Sequence, residues 1–271
     1  MTKDSIPAGS YDFRQFTRQE LDRLVAQGSA TWAQECELLA WAGLKAGDKV
    51  LDLGCGPGVI SGLLAEYVGP SGSVTGIDIS EELLATARQL NGDRVAYESG
   101  SVYRLAPFAG RFDFVYMRLV LQHVERPDEA LAQALACLKP GGRICLLDSD
   151  ESVLAIHPAP PDLDRLLAET QLLQQMRGGD RFVGSKLAYY LNRCGATDID
   201  ARLLLITPRM IGTAAFLDSV IAWRPLLYPD VHRERSQARV QRIYASAQET
   251  IMSGHNGSFV VRGRRPLMTA V

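Results

Sequence analysis

Val50-Leu51-Asp52-Leu53-Gly54-Cys55-Gly56-Pro57-Gly58 sets a short apolar run against a glycine-spaced turn, and helical spacing follows it. A strand ending near Asp52 and a turn opening a helix put bare backbone at the carboxyl edge of a sheet, where open α/β folds bind ligands. Glycine lets the chain turn tightly and lets a ligand approach without a Cβ clash. A dinucleotide fingerprint, G-x-G-x-x-G, would need its third glycine at position 59, which is Val59. The spacing here is G-x-G-x-G.

The next apolar run, Val74-Thr75-Gly76-Ile77-Asp78, ends in an acid 20 residues past Gly58. A carboxylate at that strand end accepts the ribose hydroxyls of an adenosine cofactor, which alone does not say which one. From 48 to 150, strand candidates at 48–53, 73–78, 94–98, 112–117 and 143–149 alternate with helices fitted to 57–68, 80–91, 118–123 and 127–138. Such alternation points to right-handed crossovers and a parallel sheet covered on both faces. Ser80 before Glu81-Glu82, and Pro127-Asp128-Glu129, read as helix starts, and Lys139-Pro140-Gly141-Gly142 as the stop before the fifth strand.

Asp52 to Gly58, Asp78, Phe112-Asp113-Phe114-Val115-Tyr116 and Leu138-Lys139-Pro140-Gly141-Gly142 resemble, in order and spacing, the motifs of class I S-adenosylmethionine-dependent methyltransferases of the small-molecule, ubiquinone-biosynthesis-like type. The resemblance covers roughly residues 35 to 150. It implies a doubly wound, mostly parallel seven-stranded sheet, the Rossmann-like methyltransferase fold, in one domain over 1–271. Asp52, Gly54, Gly56 and Gly58 would surround the methionine part of S-adenosyl-L-methionine, and Asp78 and Ile79 would hold the ribose and flank the adenine. The family often has Gly-Asp after the third strand; here Gly100-Ser101-Val102 stands there, so Ser101 and Val102 take the adenine end without the charge. Met117 and Arg118 would pass beside the sulfonium and the carboxylate, where Arg118 serves either as the carboxylate's partner or in a structural ion pair. Tyr11, in a segment that folds over the cofactor in similar enzymes, is either a carboxylate contact or packing.

Beyond these motifs, residues 1–45 read as a helical cover, with apolar spacing over Gln19 to Val25 and Thr31 to Trp41. Two stretches, 150–180 and 211–253, read as helical lid insertions, the first with an amphipathic helix at 162–176. Helix 184–194, strand 197–206 and a last strand at 257–263 resume the core. The 29 basic and 31 acidic residues, net charge −2, give no global positive field for nucleic acid. No apolar run reaches the roughly 20 residues that span a bilayer, and Met1 to Ser5 lacks an apolar signal core, so a cytoplasmic enzyme is expected. Five scattered cysteines and four distant histidines predict neither a disulfide framework nor a metal site.

Methyl transfer is an in-line displacement that positioning accelerates, and a base helps only where the acceptor has a proton to lose. His123, just past the fourth strand, is the candidate base, or a histidine that supports the cofactor loop. Asp148 and Asp150 either orient the acceptor or cap the connection to the lid. The helix from His232 to Arg242 reads as a solvated face. No Asn/Asp-Pro-Pro-Tyr/Phe segment follows the fourth strand, which disfavours base or amide acceptors. The expected partner is a small acceptor such as a natural product, with a homodimer as the assembly to test. Two alternatives stay open: an enzyme of this fold that uses the sulfonium without giving up methyl, and a non-catalytic binding subunit.

Overall fold

Lys49–Leu53 (β1) lies inside the sheet with Val50 buried on one face and Leu51 and Leu53 on the other, the pattern of a parallel strand covered twice. The structure, a computed structural model, describes residues 31–248 and 253–267. β1 pairs in parallel with β2 (Ser73–Asp78) and β4 (Phe112–Arg118); β3 (Ala96–Ser99) joins β2, and β5 (Leu138–Ser149) joins β4. β6 (Ala155–His157), β7 (Thr197–Ile206) and β8 (Ser253–Arg264) complete an eight-stranded sheet, with β8 antiparallel to β5, β6 and β7.

Alternation along the strands divides the core in two. Val50, Phe114, Tyr116 and Leu147 meet α1 (Trp32–Ala42) and α2 (Val59–Val68) on one face. Leu51, Leu53, Val115, Met117 and Leu146 meet α4 (Pro127–Cys137) and α6 (Leu187–Arg193) on the other. Between them in the chain stands α3 (Glu81–Asn91), with Ser80 Oγ accepting from Leu83 N at 3.3 Å as its N-cap.

A third core joins the segments 150–180 and 211–253 to each other. Leu163 and Leu166 of α5 (Leu163–Gln175) pack with Phe216, Leu217, Val220 and Ile221 and with Val240 and Ile243 of α7 (Asp230–Gln248). Among the described residues no helix is long and apolar enough to cross a membrane.

Several local expectations change. Residues 118–123 do not form a helix: β4 runs through Arg118, Leu119 takes a left-handed φ of 57°, and only Leu121–His123 makes a 3-10 turn. Lys139 to Gly142 belongs to β5 as an irregularity, because Gly141 N donates to Arg265 O at 3.0 Å and Arg265 N to Gly142 O at 2.9 Å. Helix 184–194 splits into a 3-10 turn, Gly184–Lys186, and α6. The 150–180 segment contributes the short strand β6, which adds an eighth strand among the described residues to the seven expected. The expected solvated helix from His232 has a packed side: Arg239 is buried and pairs with Glu169 of α5 at 2.7 Å. Residues 19–25 lie outside the described residues.

Candidate cofactor and acceptor site

The chain leaving β1 is clamped at once to β2, since Gly54 N and Cys55 N both donate to Ile77 O, at 2.7 and 3.1 Å. Gly54, Gly56 and Gly58 all have positive φ, at 73°, 54° and 78°, which explains three glycines in five residues. Their surroundings differ. A Cβ on Gly54 would strike Val120, and one on Gly58 would strike the Tyr97 hydroxyl and lie 2.6 Å from Ala87 Cβ, whereas a Cβ on Gly56 would meet nothing within 4 Å. Gly54 and Gly58 are therefore closed by packing, and Gly56 presents bare backbone to open space.

Asp78 closes the turn from β2. Its Oδ2 accepts from Gly56 N at 2.8 Å and its Oδ1 from Ser80 N at 2.9 Å. Burial raises its pKa against these donors. A carboxylate has about four acceptor sites, so capacity remains for hydroxyl donors. Ile79, next in the chain, is 51% exposed, an apolar surface beside that carboxylate. Ser101 is buried, with its Oγ accepting from Tyr103 N at 3.3 Å, and Val102 is half-buried against the core. An open glycine backbone, a strand-end acid and an exposed apolar ledge fit the methionine, ribose and adenine parts of an adenosine sulfonium cofactor.

Other predicted residues face inward. Asp52 accepts from Ser61 Oγ of α2 at 2.6 Å, and burial pushes its pKa up to about 6. Met117 is buried in the core on the opposite face. Arg118 pairs with Glu35 of α1, Nε to Oε2 at 2.9 Å and Nη2 to Oε1 at 2.8 Å, while the Tyr116 and Thr31 hydroxyls donate to the same carboxylate at 3.0 and 2.6 Å. Burial would raise the Glu35 pKa, and Arg118 with the two hydroxyls outweighs it and holds it down. Arg118 thus occupies the structural ion pair of the two roles open to it. Glu35 was not among the expected residues; its signal was an acid on the face that Leu39 and Ala42 bury, at spacings of four and seven. Tyr11 lies outside the described residues.

The carboxyl ends of β4 and β5 hold a second polar group. Burial, then the Arg181 cation, pushes His123 down to about 3, leaving it neutral near pH 7. Its turn is fixed by Gln122, whose N donates to Asp148 Oδ2 at 3.2 Å and whose carbonyl accepts from Gln174 Nε2 of α5 at 2.8 Å and Asp180 N at 2.9 Å. Burial pushes Asp148 up to about 7. Asp150 caps the connection instead, with Oδ1 accepting from Ser152 N at 3.0 Å and Oδ2 from Ser185 N at 2.7 Å. Sequence reasoning missed Glu151, Arg181 and Arg224, which lie far apart in the chain and in no motif. Among the described residues no group of three or more His, Cys, Asp or Glu is placed to hold a metal ion.

The fold and this site define a class I S-adenosyl-L-methionine-dependent methyltransferase domain. The chain belongs to the family described as a methyltransferase domain, which matches residues 44–211. It is 30% identical over 178 residues to an uncharacterized methyltransferase of Schizosaccharomyces pombe, covering 62% of this chain and 63% of that protein. It is 39% identical over 121 residues to the chloroplastic 2-phytyl-1,4-beta-naphthoquinone methyltransferase of Arabidopsis thaliana, covering 42% of this chain and 46% of that protein. The chain thus spans less than two thirds of these relatives' own lengths. Its fold is similar to that of phosphoethanolamine N-methyltransferase 2 of Haemonchus contortus in complex with S-adenosyl-L-methionine, with a TM-score of 0.54 at 20% identity, over 87% of this chain and 53% of that one.

Proposed function

We propose that the chain transfers the methyl group of S-adenosyl-L-methionine to a small organic acceptor, a natural product or other secondary metabolite. The observation that carries this reading is the roof over the carboxyl ends of β4 and β5. Gln174 of α5 bonds the Gln122 carbonyl at 2.8 Å, and Arg224, from the second insertion, bonds Glu151 at 2.6 Å. Helices that close over the reacting edge suit an enclosed small molecule and exclude water. The naphthoquinone named in the Arabidopsis relative is an acceptor of this kind.

The bound cofactor supplies an electrophilic methyl on a sulfonium. The chain's own residues supply position. Gly54, Gly56 and Gly58 would shape the turn, Asp78 would take the ribose, Ile79, Ser101 and Val102 would lie along the adenine, and Asp52 would stand at the methionine end, with Met117 behind it in the packed core and Arg118 held by its ion pair with Glu35. His123, neutral near pH 7, accepts a hydrogen bond from the acceptor; with a pKa of about 3 it is too weak a base to draw the proton off strongly. Incubation with methyl-labelled cofactor and a panel of phenols, quinols and amines tests the reading. Label in a small extractable product supports it; label that stays on the cofactor while an acceptor is consumed points to the non-methylating alternative, and label found only in protein or RNA overturns it.

A further inference from the structure

Asn91 closes α3 on the face where Leu84 and Ala87 are buried, so a polar amide falls on an apolar stripe, 5% exposed. A buried amide needs partners. Its Nδ2 donates to Gly58 O at 2.8 Å and to the Tyr97 hydroxyl oxygen at 2.7 Å, and that hydroxyl donates in turn to the same Gly58 carbonyl at 3.4 Å. Gly62 N, inside α2, is a further donor to it at 3.0 Å. One carbonyl of the glycine turn thus takes two side-chain donors, from α3 and from β3, besides its helical partner.

Glycines make room for this pair. A Cβ on Gly62 would strike Asn91 Oδ1, one on Gly58 would strike the Tyr97 hydroxyl, and one on Gly76 would lie 2.7 Å from Tyr97 Cε1. Gly62 stands in regular helix and Gly76 in regular strand, so what each supplies is space rather than backbone freedom. A turn that holds three glycines at positive φ loses much backbone entropy when it is ordered. Donors fixed on α3 and β3 order it on folding, before any ligand arrives, with Gly56 N already on Asp78 Oδ2 at 2.8 Å.

We infer that Asn91 and Tyr97 are positioning residues for the cofactor: acting through the Gly58 carbonyl, they hold the turn in the shape that takes the methionine part of S-adenosyl-L-methionine. The inference rests on the cofactor reading of the turn above and adds two residues that stand in none of its motifs. The ribose depends instead on Asp78, which Ser80 N holds at 2.9 Å from the other side. Loss of Asn91 or Tyr97 therefore weakens the grip on one end of the cofactor and spares the other.

The purified chain and its Asn91→Ala and Tyr97→Phe variants are titrated by calorimetry with S-adenosylhomocysteine and with 5′-methylthioadenosine, which keeps the adenosine and lacks the amino-acid part. Each variant is expected to bind S-adenosylhomocysteine about tenfold more weakly, as loss of one buried hydrogen bond predicts, and 5′-methylthioadenosine within about twofold of the parent. Because both side chains act at one carbonyl, the double variant should bind S-adenosylhomocysteine little more weakly than the weaker single one. Tyr97→Phe keeps the ring and removes one oxygen, so it carries the test alone if Asn91→Ala does not fold. Unchanged affinity for S-adenosylhomocysteine in Tyr97→Phe, equal losses for the two ligands, or losses that multiply in the double variant overturn the inference. A parent protein that does not bind S-adenosylhomocysteine overturns the cofactor reading instead.

Discussion

At Gly56 and Gly58 the backbone has the same hand and the side-chain position has opposite surroundings. An alanine at either position carries the cost of a left-handed residue, about 1–2 kcal/mol. Only at Gly58 does it also press on Tyr97 and Ala87. Gly58→Ala is therefore expected to lose at least about 2 kcal/mol more than Gly56→Ala in chemical denaturation, while Gly56→Ala, with its methyl on the open side, abolishes cofactor binding in a stably folded protein. Equal stability losses, or undisturbed binding in Gly56→Ala, would contradict this division.

Asp52 makes a second residue-level prediction, because burial lifts its pKa from 3.8 to about 6. Below pH 3.8 it is protonated in both folded and unfolded chains and costs nothing; above pH 6 it is ionised in both, and the full cost of the buried charge is present. The stability it lends is lost as pH rises through this window, about 3 kcal/mol in all. Asp52→Asn does not titrate, so its stability relative to the parent should improve by about that amount between pH 4 and pH 7. A difference that stays constant with pH would show that Asp52 is not held in this way.

Among the elements, α1 is tied to the sheet by one acid. Glu35 gathers Arg118 and Tyr116 of β4 together with Thr31 at the start of its own helix, and truncating one member of a buried pair leaves the other charge without compensation. Glu35→Ala should cost about 3–5 kcal/mol. Glu35→Gln, which keeps the shape and loses the charge, should cost less. A loss under about 1 kcal/mol for Glu35→Ala, the range of exposed pairs, would mean that the ion pair does not hold the helix. Elements whose period and caps agree were legible in the sequence: β1, β2, α3 with its Ser80 cap, and β7. The turn at Leu121–His123 was not, since five residues of helical character after Arg118 are broken by Leu119 in the left-handed region, which nothing in its apolar neighbours announces. β6 was also hidden, because its pairing is set by residues 253–255, about a hundred positions away.

On the scale of the molecule, the cofactor edge was written in contiguous motifs and could be read, because a glycine turn and a strand-end acid are local solutions to a local problem. The acceptor edge was not. Its residues come from β5, from both insertions and from the loop at Arg181, and they meet only because Leu163, Phe216, Val240 and their neighbours form a core of their own. That separation suits a fold whose cofactor is constant and whose acceptor varies, with chemistry altered by changing the insertions while the sheet stays as it is. The roof and the glycine turn converge on one requirement, that S-adenosyl-L-methionine lie across the ends of β1 and β2 with Asp78 on its ribose. Calorimetric titration of the purified chain with S-adenosylhomocysteine and with NAD, repeated with Asp78→Ala, measures this directly. S-adenosylhomocysteine should bind the parent and bind Asp78→Ala about a hundredfold more weakly, as loss of hydrogen bonds to a charged group predicts, with no heat from NAD; binding of NAD, or affinity unchanged in Asp78→Ala, would contradict the account.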